Sequence, residues 1–492
     1  MKKSRLFSLA AVLLQSVACI GMASAGVMTT KLSNLVVAEV NDEAVTVLPL
    51  SATSVDADSK VAISFFKAYE QARYYDAQFQ AATASNNKTS EEIYKARAAF
   101  LPKVQLSAAK GRGKTDSTSQ FSSQSITRSY DTQNYNLSLR QPLFNKQAFA
   151  EYQQAKANIA RGDALLAREG VNLISRLTDA YLNVLFTEDN ILYNESRSST
   201  LTQQLQQAKS RFKAGVGTIT EINEVQASLD LISAQLIELK NNDELNRREL
   251  ENIIGTYPTR LMKLAPERVV LHVPEIDVSA TNLTKDVDAQ SWVDLALQAN
   301  PEILAARQQV EVAKQEIERT NAGHYPTLDL VATRSYTESE NNITIGSTFD
   351  TTSVNLQLNV PIFSGGYVSA TVRQSQAALE EAEEKLNQAT RQISADVRGF
   401  YSGSANAISS IRAYEQAEKS NQAAVIGTKK GFEFGTRTNV EVLDAEEKLY
   451  ESLRNLARAR YQFITNFIKI KESAGVLTAQ DVQQVSDWFA NQ

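Results

Sequence analysis

The chain is 492 residues long, with a formal net charge of -5, nine prolines and one cysteine. Mild acidity with scattered positive residues gives no nucleic-acid footprint, and a lone cysteine excludes a disulfide framework. No apolar run of about 18 residues follows the N-terminal leader, which excludes a membrane-spanning helix but leaves open a β-barrel, whose signal per strand is far weaker.

Residues 1–25 read as a secretory signal. Lys2, Lys3 and Arg5 form a basic start, Leu6 to Val17 an apolar stretch, and Ala23-Ser24-Ala25 a cleavage site. The mature chain is then expected to begin at Gly26, without Cys19. Residues 26–58 hold short apolar patches among small and acidic residues and are expected to form an irregular arm. From residue 59 apolar positions recur at threes and fours: Val61, Phe65, Ala68, Ala72, Tyr75 and Phe79. This helix is expected to continue to Phe100, loosened at Asn86-Asn87-Lys88 and stopped by Leu101-Pro102.

Period two follows. Val104, Leu106 and Ala108 alternate with polar residues, a Ser/Thr/Gly-rich stretch intervenes, and Tyr135, Leu137 and Leu139 alternate again up to Pro142. A hairpin over 103–141 has the length and pattern of a membrane β-hairpin. A water-soluble sheet with one wet face looks the same locally. The longest helical pattern runs from 145 to 214; at 1.5 Å per residue it would span roughly 105 Å. A glycine turn at 215–221 leads to a second helix reaching 254. Residues 256–290 carry short β-prone pieces and are expected to form a connecting region.

The layout then repeats over 291–472. A helix interrupted at Asn300-Pro301 leads to a second alternating hairpin over 327–360, a long helix over 366–433, a turn at 434–438 and a last helix to 472. The terminal segment 473–492 is grouped with the connecting region. Gly365-Gly366 fits a sharp strand-to-helix turn. The two glycine turns align with Gly217 opposite Gly435, a spacing of 218 residues. Glycine there is expected to end one helix at positive φ, and a following threonine to cap the next. Glu441 and Asp444 share a face of the first turns of the last helix, where the dipole favours carboxylates.

Four amphipathic strands cannot close a barrel, and open edges in lipid would leave backbone groups unpaired. Copies must therefore assemble if the strands span a membrane. Two chains would give eight strands with a filled interior; three would give twelve and leave a passage. The long helices would continue the wall, with the turns at 211–226 and 430–446 forming its tip.

Several stretches carry a family resemblance. They are Gly435-Thr436-Arg437-Thr438 with Val440 and Val442-Leu443-Asp444-Ala445, and Asn455-Leu456-Ala457-Arg458-Ala459-Arg460-Tyr461. His324-Tyr325-Pro326-Thr327-Leu328-Asp329-Leu330 and Pro361-Ile362-Phe363-Ser364-Gly365-Gly366 complete the set. From about residue 60 to 490 the chain resembles the TolC family of outer-membrane efflux proteins. The resemblance implies a mixed membrane α+β fold. A homotrimeric 12-stranded β-barrel, four strands per chain, would sit in outer-membrane lipid, continued by a long periplasmic α-helical barrel of coiled coils. It implies a passive exit duct for efflux or type I secretion. The partners would be a periplasmic adaptor (membrane fusion) protein and an inner-membrane drug transporter or type I secretion ATPase; no cofactor or metal is called for.

By position, the resemblance puts a carboxylate ring at Glu441 and Asp444, with Glu where the family usually has Asp. Crowded like charges there would attract cations and raise one another's pKa. A closing restraint would join Arg437 to Thr220 and Glu221, with Phe432 in place of the usual tyrosine. Adaptor docking falls on Gly215, Gly217, Thr218, Gly435 and Thr436. Phe144, Phe149, Phe363 and Tyr367 are candidates for an aromatic belt at the inner rim of the barrel, although packing explains each equally well.

Enzyme readings find little. His272 and His324 stand alone, Gly111-Arg112-Gly113-Lys114-Thr115 lacks the first glycine of a phosphate loop, and no nucleophilic triad can be assembled. Paired carboxylates such as Glu446-Glu447 read as solvent faces or salt-bridge partners. The rival from another class is a secreted coiled-coil structural or adhesion protein without channel activity.

Overall fold

The computed structural model describes residues 62–118, 125–273, 288–339 and 347–490. The leader and arm lie outside them. Three helices, α1 (Phe65–Tyr75), α2 (Ala77–Ser90) and α3 (Glu92–Ala98), precede the strands. The expected single helix is thus broken at Asp76 and Glu91, not at 86–88. Asp76 has non-helical φ and ψ of -58° and 117°, and its carboxylate accepts from Phe79 N at 2.7 Å, capping α2. The same carboxylate takes two hydrogen bonds from Arg176, at 3.0 and 3.1 Å. A tertiary ion pair therefore fixes the break, and Asn86 meanwhile stays helical, donating to Asp163 at 3.0 Å.

Strands β1 (Lys103–Thr118) and β2 (Ser125–Phe144) form the first hairpin, β4 (Thr327–Ser339) and β5 (Ser347–Asn359) the second. They make one antiparallel sheet in the order β1-β2-β4-β5. Registers Val104↔Leu139, Leu139↔Ala332 and Ala332↔Val354 place those four residues in one row on one face. Leu106, Leu137, Leu356 and Leu358 belong to the same face and are exposed. Both strands of the first hairpin run past the alternating stretch, because the ladder continues through Arg112↔Asp131 to Thr118↔Ser125. Among the described residues β1 and β5 each pair on one side only. The described sheet of one chain is a four-stranded ribbon with two free edges, not a closed barrel.

Below the sheet α4 (Lys146–Lys213) runs for 68 residues, about 100 Å. Asn145 starts it, accepting from Ala148 N at 3.1 Å. After a turn, α5 (Ile219–Ile254) returns antiparallel to it. The short strand β3 (Lys263–Leu264) follows, then α6 (Ala289–Ala299) and α7 (Pro301–Asn321). Asn300 separates these two helices: it caps α7 by accepting from Glu302 N and Ile303 N, and its amide donates to Ser473 O at 2.8 Å. From β5 the chain turns through Gly365 and Gly366, at φ of 62° and 80°, into α8 (Tyr367–Glu433) and α9 (Asn439–Ser473). Side chains strain at such φ values, so the glycine pair is what lets the strand enter the helix directly. Helix α10 (Ala479–Ser486) and strand β6 (Phe489–Ala490) finish the described chain.

The main core lies halfway along the long helices. Leu177, Tyr181 and Leu185 of α4 meet Phe65, Leu250, Phe463, Phe467, Trp488 and Phe489 there. Tyr181 is fully buried, donates to the carbonyls of Ile63 and Met262, and lies edge-on to Phe65 and Phe489 with centroids 5.4 Å from each. Pairing of β3 with β6 joins Lys263–Leu264 to the C-terminal segment, and Leu264 and Phe489 both enter this girdle. The sheet stands at one end of the helices and the two glycine turns at the other.

Candidate functional site

The two turns share one hydrogen-bond pattern. Arg211 O accepts from Val216 N and Gly217 N; Gly431 O accepts from Thr436 N and Arg437 N. Left-handed φ occurs at Gly215 (78°) and Gly435 (73°). The counterpart of Gly435 is therefore Gly215, and Gly217 stands opposite Arg437. The expected pairing of Gly217 with Gly435 is corrected by two residues. The reason is steric. A Cβ at Gly217 would meet Phe212 N at 2.9 Å and Arg211 Cβ at 3.0 Å, and one at Gly431 would meet Arg437 Cγ at 2.6 Å. The turn admits one side chain between helix and loop. The first copy carries arginine on the helix and glycine on the turn, and the second carries the reverse.

Threonine caps both returning helices, but the caps are Thr218 and Thr438. Thr436 instead donates to Gly431 O at 3.0 Å. Thr438 and Glu441 form a capping box. Glu441 Oε2 accepts from Thr438 N at 2.7 Å, and Oε1 from Arg437 Nη1 at 2.8 Å. Thr438's backbone N–H first, and the Arg437 guanidinium second, hold this carboxylate below its usual range. Asp444, on the next turn of α9, is exposed.

Within the chain Arg437 is thus brought to Glu441, not to Thr220 or Glu221. Thr220 is exposed on the other hairpin. Glu221 keeps one buried oxygen without a partner. Phe432 lies under the guanidinium of Arg211, 4.7 Å from ring centroid to Cζ, a cation–π contact between the two coils. Val216, Ile219, Phe434 and Val440 leave the turns with an exposed apolar fringe.

Above the turns, polar contacts stitch the α4–α5 coil to the α8–α9 coil. Asn439 donates to Glu224 at 3.3 Å, and Arg197 stands 3.6 Å from Glu447. Leu443 packs against the cluster that contains Leu201, Leu205, Val225 and Ile232. Between these contacts lies Glu446, only 3% exposed. Its Oε1 takes both Lys429 Nζ at 2.6 Å and Gln204 Nε2 at 2.8 Å. The solvent-face reading is therefore wrong for Glu446, although the ion-pair reading stands. Glu447 does face solvent. Sequence gave a faint cue, since Val442 and Glu446 are four residues apart and so share the buried face.

Further up, burial raises the pKa of Asp189, whose carboxylate accepts from Tyr461 at 2.7 Å, and that of Glu472. At the sheet end, Phe144 closes β2, Phe149 sits in the first turns of α4, Phe363 in the linker after β5, and Tyr367 opens α8. All four are exposed where strands become helices. His272 Nδ1 lies 3.2 Å from Val270 O. No group of three or more His, Cys, Asp or Glu residues among the described residues is placed to hold a metal ion.

The family model described as "Outer membrane efflux protein" matches residues 68–256 and 292–476. The alkaline protease secretion protein AprF of Pseudomonas aeruginosa is 32% identical over 432 residues, 87% of this chain and 88% of that one. The proteases secretion protein PrtF of Dickeya chrysanthemi is 30% identical over 89% of this chain and 93% of its own length. Outer membrane protein TolC of Escherichia coli is 29% identical over 85% and 83%. Among solved structures, the Campylobacter jejuni CmeC outer membrane channel matches with a TM-score of 0.71 at 14% identity, covering 92% of this chain and 98% of that chain. The outer membrane protein VceC of Vibrio cholerae matches at 0.68 and 19% identity, covering 84% and 96%.

Proposed function

Because the chain belongs to the outer membrane efflux protein family and is one of its outer-membrane channels, we propose that three copies form the passive exit duct of a type I secretion or tripartite efflux assembly. Protein secretion is the favoured service, on the names of the two protease-secretion relatives. One observation carries the reading: a four-stranded sheet with an exposed apolar face and two unpaired edges crowns a helix about 100 Å long. Lipid covers such a face, and the edges are satisfied by pairing β5 of one copy with β1 of the next. Three copies make twelve strands and leave a lumen.

At the far end, Glu441 and Asp444 of each copy converge as an acidic ring that selects cations. Arg437 restrains the closed tip toward Thr220 and Glu221 of the neighbouring coil, where Glu221 offers an unsatisfied oxygen. The turns at Gly215, Gly217, Thr218, Gly435 and Thr436, with their apolar fringe, receive a periplasmic adaptor, which links the duct to an inner-membrane transporter or secretion ATPase. Phe144, Phe149, Phe363 and Tyr367 mark the inner rim of the bilayer.

The test is recording from purified protein in a planar bilayer, with particle mass measured in detergent. A cation-preferring conductance from a three-chain particle is expected; a monomeric, non-conducting product overturns the proposal.

A further inference from the structure

We infer that the outward face of β1, beyond its apolar band, holds the phosphate groups of an outer-leaflet lipid through Lys110, Arg112 and Lys114. This rests on the channel reading above, in which the sheet crosses the outer membrane with the helices on its periplasmic side. The face that bears Val104, Leu139, Ala332 and Val354 has aromatic residues at both margins. Phe144, paired with Leu328 beside the helices, marks one. Tyr135 and Tyr336 mark the other: they are direct partners in the ladder, with ring centroids 6.1 Å apart. From Tyr135 to Phe144 strand β2 rises about 30 Å, or about 23 Å along the barrel axis at a tilt of roughly 40°. That matches the apolar band of an outer-membrane barrel, about 25 Å tall between its aromatic girdles. The tyrosine pair therefore stands at the level of the outer headgroups.

The basic residues begin one row further out. Ala108 lies opposite Tyr135, and Lys110, Arg112 and Lys114 follow on the same face, opposite Gln133, Asp131 and Ser129. Three features point to a ligand there. First, the charge is one-sided. At the same height the other face of β1 carries Ala109, Gly111, Gly113 and Thr115. None is charged, whereas a segment that needed only to meet water would charge both faces. Second, two of the three cations are unanswered. Arg112 pairs with Asp131 at 2.9 Å, and Asp116 accepts from Thr127. Lys110 and Lys114 are exposed and form no ion pair among the described residues. Third, the two free edges differ. Lysine on an edge strand also discourages wrong pairing, but β5, the other edge, has none. Its one charged residue, Asp350, is already engaged by Arg334 at 3.1 Å, so β5 of the next copy brings no spare carboxylate to β1. Successive outward residues stand about 7 Å apart along a strand. A phosphate between two of them reaches the Arg112 guanidinium and a lysine ammonium together, in charge-assisted hydrogen bonds.

The test is native mass spectrometry of the detergent-purified full protein, titrated with bisphosphorylated lipid A, with the same lipid stripped of phosphate, and with inorganic phosphate. The unsubstituted protein should retain the phosphorylated lipid in preference to the stripped one. Lys110→Gln with Lys114→Gln should weaken that retention about 25-fold, about fivefold for each basic residue at a charged lipid surface, and leave binding of the stripped lipid unchanged. Lys110→Arg with Lys114→Arg should keep the preference. Equal retention of both lipids by the unsubstituted protein overturns the inference without recourse to any variant. So does displacement of the lipid by inorganic phosphate at the lipid's own concentration, which would make this a site for the free anion. Lysines that served only to join copies would behave differently: the glutamine variant would lose assembled particles in lipid-free detergent yet keep its lipid preference, and that result also overturns the inference. A protein that conducts in a planar bilayer but shows no phosphate preference loses only this inference. A monomeric, non-conducting product removes the channel reading, and this one with it.

Discussion

Charge at single residues does different work along α9. Glu441 is held ionised by a backbone N–H and an arginine, whereas Asp444 is exposed. Replacing both with alanine should abolish most cation preference in bilayer recordings while the particle keeps its mass; unaltered selectivity would remove them from the aperture. Arg437→Ala should raise resting conductance by about fivefold, the scale of one interaction near 1 kcal/mol, and a channel as tightly closed as before would place the restraint elsewhere. Asp189 behaves oppositely to Glu441. Burial raises its pKa, so the folded chain binds that proton more tightly than the unfolded chain does. Its contribution to stability is gained as pH falls toward the ordinary carboxylate range and lost as pH rises through the raised value. Asp189→Asn should therefore melt higher than the native chain at about pH 8, an advantage that shrinks toward about pH 5 in helical circular dichroism. Glu441 and Asp444 stand out in the sequence because they sit in a short, dense motif. Glu446 does not, because its burial depends on Gln204, which lies 242 residues away in the chain.

Elements whose limits are written in local chemistry were legible. Leu101-Pro102, Asn145, Asn300-Pro301 and Gly365-Gly366 end or begin elements because proline, an amide cap or a left-handed glycine acts within a few residues. Limits set by distant partners were not. The break at Asp76 depends on Arg176, and the polar outer third of the first hairpin is strand because its register continues beyond the apolar band. The glycine turns misaligned for a related reason: sequence matches glycine to glycine, whereas sterics match Gly217 to Arg437. Two outcomes follow at this scale. Gly435→Ala should destabilise the second turn by about 1 kcal/mol, the cost of a left-handed non-glycine residue, read as earlier hydrogen exchange at 431–438. Leu106→Arg on the apolar face should cost about 2–4 kcal/mol if the residue lies near mid-bilayer, and appear as loss of assembled protein from membranes. Equal membrane yield would mean that this face does not meet lipid.

At the largest scale, the long helices, the central girdle and the ribbon of four strands among the described residues form a staff with an unfinished head. The girdle is self-sufficient, because Tyr181, Phe463 and Trp488 bury within one chain. The head is not. Release of the protein from outer-membrane vesicles should require detergent, and extraction by salt or alkali alone would argue against the barrel. The unpaired margins of β1 and β5 have a further consequence for genetics. A copy damaged in either margin still carries one sound margin and can join healthy siblings, leaving a gap that they have no means to seal. Such an allele should therefore be dominant, poisoning mixed particles in a cell that also makes the intact protein. An allele that prevents the girdle from folding should be recessive, since its product never joins.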